Sequence, residues 1–171
     1  MDASPTAPDD FVARLRRAWA QTLPGVDTST IETMGRIGRI SAFSTQQLDR
    51  LLAPAGVSRS EFDVLCALAR SPHPLRASEV TAQTMLSGAA TTKLAARLES
   101  AGLIRRGRLE RDGRVVMLSL TPAGRHLVES ELPRLLDHDQ LLLDGLNDAE
   151  RDTLVRLLRR ITENAERARE V

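Results

Sequence analysis

The chain has 171 residues, 42% of them apolar, and 24 basic side chains stand against 23 acidic ones for a net charge of +1. That suits one compact domain, or two small lobes on a shared core; with three Phe, one Trp and no Tyr the core is aliphatic. The single cysteine, Cys66, excludes an internal disulfide framework, no apolar run is long enough for a membrane span, and the acidic N-terminus lacks the basic and apolar regions of a signal peptide, so a cytoplasmic protein is expected.

Residues 1–7, small and Pro-containing, read as a disordered lead-in. Pro8, Asp9 and Asp10 suit a first helical turn, and Phe11, Leu15 and Trp19 follow on one face until Leu23-Pro24-Gly25. A longer helix is predicted from Ser29, with Glu32 completing a capping box, to about Ala53, before Pro54 and Gly56 break it. Ile31, Met34, Ile37, Ile40, Leu48, Leu51 and Leu52 keep its period. Gly35 and Gly38 either weaken this helix or admit a close neighbour.

Ser58 and Glu61 form a second capping box, opening a helix through Phe62, Leu65, Leu68 and Ala69 that stops at Ser71-Pro72-His73-Pro74. A short helix follows over about Arg76–Gln83, then a turn containing Met85, then a helix capped by Ser87 that runs to Ala101 with Leu94, Leu98 and Ala101 inward. Two short helices across a brief turn make a helix-turn-helix. Leu103–Leu109 and Arg114–Leu120 read as strands, with Arg111-Asp112-Gly113-Arg114 between them and Asp-Gly as the hairpin signal. Thr121 caps a helix with Pro122 at its first position, predicted to reach about Asp144 with a kink at Pro133; Asn147 and Glu150 box the last helix, which carries Leu154, Leu157, Leu158 and Ile161.

The fold class is therefore mainly α with a small β-hairpin wing (α+β): a winged helix-turn-helix over residues 58–121, flanked by 8–57 and 122–171 as two parts of a helical dimerisation lobe. Charge follows this division. Lys93, Arg97, Arg105, Arg106, Arg108, Arg111 and Arg114 face only Glu99, Glu110 and Asp112, a local balance of +4, whereas residues 126–171 hold seven Arg and eleven acids, a balance of −4. A basic centre beside an acidic end is the footprint of a nucleic-acid surface. Lys93 is the sole lysine, so the preference for Arg carries little weight by itself.

Leu103-Ile104-Arg105-Arg106, Asp112-Gly113-Arg114 and Leu120-Thr121-Pro122-Ala123-Gly124 together resemble the MarR family of bacterial transcription regulators, over roughly residues 30–168. The resemblance implies a homodimer whose terminal helices pair above two winged units, and control by small anionic or phenolic ligands or, in some members, by thiol oxidation. The extra first helix with Trp19 is similar to a urate-responsive subgroup, which implies ligand roles for Trp19, Asp63 and Arg106. A second Arg position of that subgroup holds Leu94 here, leaving a less anionic ligand open. Trp19 can equally anchor an interface, and Asp63 can equally be a surface acid.

On the reading helix, Ala89, Thr92, Lys93 and Ala96 lie off the Leu94 and Leu98 face and can meet base edges, with Ser87, Thr91 and Arg97 near the DNA backbone. Arg111 and Arg114 would enter or flank the minor groove, with Asp112 holding Arg114. Cys66, mid-helix, reads as a buried small hydrophobe rather than a redox sensor. His73, His126 and His138 are scattered, and no phosphate loop, nucleophile motif or carboxylate pair is present, so neither enzyme activity nor a metal or cofactor is expected. The function expected is a homodimeric repressor of a palindromic double-stranded operator, released by a small aromatic or anionic effector. The alternative is a winged-helix adaptor that binds a protein or ligand without DNA and has no need of a basic wing.

Overall fold

A computed structural model describes residues 9–109 and 112–168; the side chains of residues 108, 109 and 112–114 fall outside that description. The order is α1 (Phe11–Thr22), α2 (Ile31–Leu52), a 3-10 turn (Ala53–Ala55), α3 (Arg59–Ala69), β1 (Leu75–Arg76), α4 (Ala77–Thr84), α5 (Gly88–Ser100), β2 (Ile104–Leu109), β3 (Asp112–Leu120), α6 (Pro122–Leu141) and α7 (Asp148–Ala168). None of the described helices is long and apolar enough to cross a membrane.

Local chemistry sets most of these boundaries. Asp10 is not in the first turn of α1 but caps it, accepting from Ala13 N at 2.8 Å. At α3, Ser58 Oγ accepts from Glu61 N while Glu61 Oε2 accepts from Ser58 N at 2.7 Å, closing the expected box. Asn147 and Glu150 close theirs in the same way. The Ser29–Glu32 box does not form: α2 begins one residue beyond Thr30 with no side-chain cap, and Ser29 N instead donates to Asp27 Oδ1. Glu32 is held by Arg16 at 2.8 Å and by Arg36.

Helix α3 is the centre of the core. It packs against α2, α4, α5, α6 and β3, burying Phe62, Val64, Leu65 and Leu68 among Leu48, Leu52, Val80, Leu98, Ile104, Leu118, Val128 and Leu135. Each such side chain contributes about 1.5–3 kcal/mol by leaving water. The sheet has the order β1-β3-β2, all antiparallel. β1 was not expected from the sequence; its two residues pair with Leu118 and Met117. In the hairpin Leu109 pairs with Asp112, so Asp112 and Gly113 begin β3 instead of forming the turn. α6 ends at Leu141, three residues before the expected Asp144, and runs through Pro133. Ala101, expected inward, is exposed.

The link from sheet to α6 explains the Leu-Thr-x-x-Gly run. Thr121 N donates to the Leu103 carbonyl, the Thr121 hydroxyl donates to the Gly102 carbonyl at 2.7 Å, and Gly124 N donates to Thr121 Oγ1 at 3.0 Å. A Cβ on Gly124 would sit 2.1 Å from the Leu103 carbonyl oxygen, so only glycine lets α6 start this close to β2.

Candidate nucleic-acid interface

Helix α5 is placed by its neighbours on three sides. Ser87 caps it through Ala90 N; its inner face, Thr91, Ala95 and Leu98, is buried against the core. That face corrects the expectation for Thr91. Its side chain is 0% exposed, it accepts from Thr81 Oγ1 at 2.9 Å, and it donates to the Ser87 carbonyl at 3.1 Å, so it joins α4 to α5 and cannot meet a phosphate. A buried hydroxyl needs such partners, and here they are within the chain.

The outer face holds the other expected residues: Ser87, Ala89, Thr92, Lys93, Ala96 and Arg97 are all exposed. Thr92 donates its hydroxyl proton to the Gly88 carbonyl at 2.9 Å, so it offers outward a methyl group and an acceptor oxygen. Ala89, Ala96 and the Thr92 methyl leave a shallow exposed surface, to which Lys93 adds a donor. Arg97 is different in kind, because its Nε lies 2.9 Å from Glu61 Oε1 on α3.

The wing is fastened to this helix. Arg106 Nε on β2 lies 3.1 Å from Glu99 Oε2, its guanidinium donates to the Thr92 carbonyl at 3.2 Å, and its backbone N donates to Glu99 Oε1. Arg105 is exposed beside it. Arg111 lies outside the described residues, and Arg114 is described only as backbone of β3.

Trp19, Asp63 and Arg106 have separate surroundings. Trp19 is 45% exposed on α1, Asp63 receives Arg59 Nε at 2.9 Å, and Arg106 is taken up by Glu99 and Thr92. No hydrogen bond or ion pair joins the three among the described residues. A cavity of about 290 Å³ lies instead between α1 and α2, lined by Asp10, Phe11, Val12, Arg36, Arg39, Ile40 and Phe43. In it Arg39 stands 4.4 Å from the Phe11 ring centre and 4.6 Å from that of Phe43, within cation–π range. Sequence reasoning missed this Arg39 cluster; Arg39 and Phe43 stand at i, i+4 on α2, but Phe11 joins them from α1, which no spacing within one helix announces. Cys66 is buried, which pushes its thiol above the usual range and keeps thiolate scarce at neutral pH.

A buried-core helix-turn-helix, an exposed second helix and a two-stranded wing with a short third strand define a winged-helix protein. Three comparisons sharpen this. Residues 55–115 match the sequence model of the MarR family. The HTH-type transcriptional regulator PecS of Dickeya dadantii (strain 3937) is 27% identical over 152 residues, spanning 88% of this chain and 92% of PecS. Among solved structures, Bordetella bronchiseptica BpsR, whose DNA binding is regulated by 6-hydroxynicotinic acid, is 29% identical with a TM-score of 0.62, over 74% of this chain and 98% of BpsR. S. aureus MepR in complex with DNA shares the fold, with a TM-score of 0.73 at 21% identity over 77% of this chain and 97% of MepR. The helix-turn-helix and the start of the wing are thus similar to the MarR family, and the chain shares the fold of its solved members.

Proposed function

We propose that this chain is a homodimeric regulator that represses from a palindromic operator and is released by a small aromatic or anionic effector. The outer face of α5 carries the reading: it is small, polar and cationic, and it is held rigid by a buried inner face. Ala89, Thr92, Lys93 and Ala96 would read bases in the major groove, Ser87 and Arg97 would bind phosphates, and Arg111 and Arg114 would place the wing at the minor groove. Two-fold symmetry would set two such helices about 34 Å apart, one turn of DNA, which matches a palindrome.

Support for a second copy comes from what one chain leaves uncovered. α7 buries no residue, and Val155, Leu157 and Leu158 on it are exposed together with Leu132, Leu136 and Leu141 of α6. Apolar surface this extensive is a mark of an interface. Support for the effector class comes from BpsR and its hydroxylated aromatic acid, and from the resemblance that assigns Trp19, Asp63 and Arg106 to sensing.

The test is titration of the protein with DNA from upstream of its own gene at low salt, repeated with urate and with aromatic acids. Binding that falls steeply with salt and is reversed by an aromatic acid is expected. Trp19 is the only tryptophan, so its emission should change in the same acid titration. No binding at low salt would sink the regulator reading and leave an adaptor in its place.

A further inference from the structure

Resting on that DNA-reading role, we propose that Glu61 is a positioning residue for DNA binding: from inside the core it aims the Arg97 guanidinium at a phosphate. Glu61 is 1% exposed, one of two polar side chains buried in the core of the described residues, the other being Thr91. An isolated buried carboxylate is costly unless it is paired and hydrogen-bonded. Oε2 is satisfied by Ser58, receiving its backbone N–H at 2.7 Å and its hydroxyl at 2.9 Å. Oε1 accepts no hydrogen bond from a described residue and faces Arg97 Nε at 2.9 Å, a contact of charge with charge.

The two partners are unequal in exposure, and that inequality carries the inference. The Arg97 side chain is 68% exposed, so the guanidinium reaches solvent while only its Nε edge meets the carboxylate. An exposed Arg on a helix surface ordinarily samples many rotamers and loses that freedom on binding. Here its near end is held by a carboxylate that cannot itself move, because Glu61 is fixed at the start of α3 by the capping box. The terminal nitrogens are left for a bidentate phosphate contact, the geometry in which Arg surpasses Lys. For helix capping alone, Oε2 would suffice; the burial of Oε1 against the reading helix is explained by Arg97.

The sign of the effect separates this role from others. Glu61 is a negative charge next to a DNA-binding helix, so as a charge alone its removal would strengthen binding. As a positioning residue, its removal weakens binding, and only when Arg97 is present. Operator affinity is to be measured over a salt series beginning at low salt for the full-length wild type, E61Q, R97A and the double variant, with thermal unfolding of each. Gln keeps an acceptor for Ser58 N–H. The expected result is about tenfold weaker binding for E61Q when Arg97 is intact, a change of no more than about twofold when E61Q is added to R97A, and a salt slope lowered by about one ion in both single variants. Tighter binding by E61Q, or an equal loss with and without R97A, would overturn the positioning role. Absence of wild-type binding would overturn the DNA-reading proposal itself.

Discussion

Gly124 and Thr91 show how a single side chain, present or missing, sets the geometry around α5 and the wing. Replacing Gly124 with Ala gains helix propensity of about 1 kcal/mol, yet puts a methyl 2.1 Å from the Leu103 carbonyl oxygen. Backbone cannot yield as a flexible side chain can, so Gly124→Ala should lower stability by about 1–3 kcal/mol net; a urea midpoint unchanged or raised would count against the close approach. This glycine stands out in the sequence because it sits at a fixed distance from Leu120-Thr121. Thr91 was not legible in that way. Its inward neighbours at helical spacing are Ala95 and Leu98, and small residues leave a weak apolar signal, so Leu94 and Leu98 drew the face too far round. The Thr81–Thr91 hydrogen bond that makes Thr91 structural joins two helices, and no spacing within one helix announces it.

Helices α1 and α2 show where local rules held and where tertiary contacts overrode them. Gly35 and Gly38, alike in the sequence, differ in space: a Cβ on Gly35 would meet Val12 Cγ1 at 2.9 Å, whereas one on Gly38 would meet nothing within 4 Å. Gly35 is thus the seat for α1, and Gly38 has no such neighbour within the chain. Charge adds to this seat. Arg36 Nε donates to Asp10 Oδ2 at 3.0 Å and its guanidinium also meets Glu32, tying the start of α1 to α2. The N–H of Ala13 and then Arg36 hold the Asp10 carboxyl below its ordinary range. A carboxylate lowered in the folded state lends stability above its unfolded pKa, and that stability is lost as pH falls through the lowered value. Acidification below about pH 4 should therefore loosen α1, read as a step in Trp19 emission that Asp10→Asn diminishes. A step of the same size and midpoint in Asp10→Asn would refute the assignment. The capping boxes at Ser58 and Asn147 were readable because Glu61 Oε2 and Glu150 Oε2 stay with their caps, Arg97 meeting only the other oxygen of Glu61. At Ser29 the acid is claimed by Arg16 and Arg36, partners that only folding brings near. β1 was hidden for a simpler reason: two residues have no period to read.

The chain as a whole presents an aliphatic core around α3 and an outer apolar surface on α6 and α7 that the core does not use. If a second copy covers that surface, replacing Leu157 with Glu should shift the protein toward monomer in sedimentation and weaken operator binding far more than it weakens each folded chain. An unchanged sedimentation coefficient would exclude α7 from the interface. The winged-helix fold was legible from helix order and the hairpin, whereas the exposure of Val155, Leu157 and Leu158 on α7 was not, since an apolar stripe looks the same whether or not its own core covers it. One small element bears on how such a pair could respond to a signal. β1 couples the segment just before α4 to β3 at Leu118 and Met117, and Arg106 couples β2 to α5 through Glu99 and Thr92. Wing and reading helix are thereby braced at both ends like the two legs of a trestle. In the proposed dimer, an effector that leaves these braces intact would change the gap between the two copies, which spin labels on the exposed Ala96 of each would report without any DNA present.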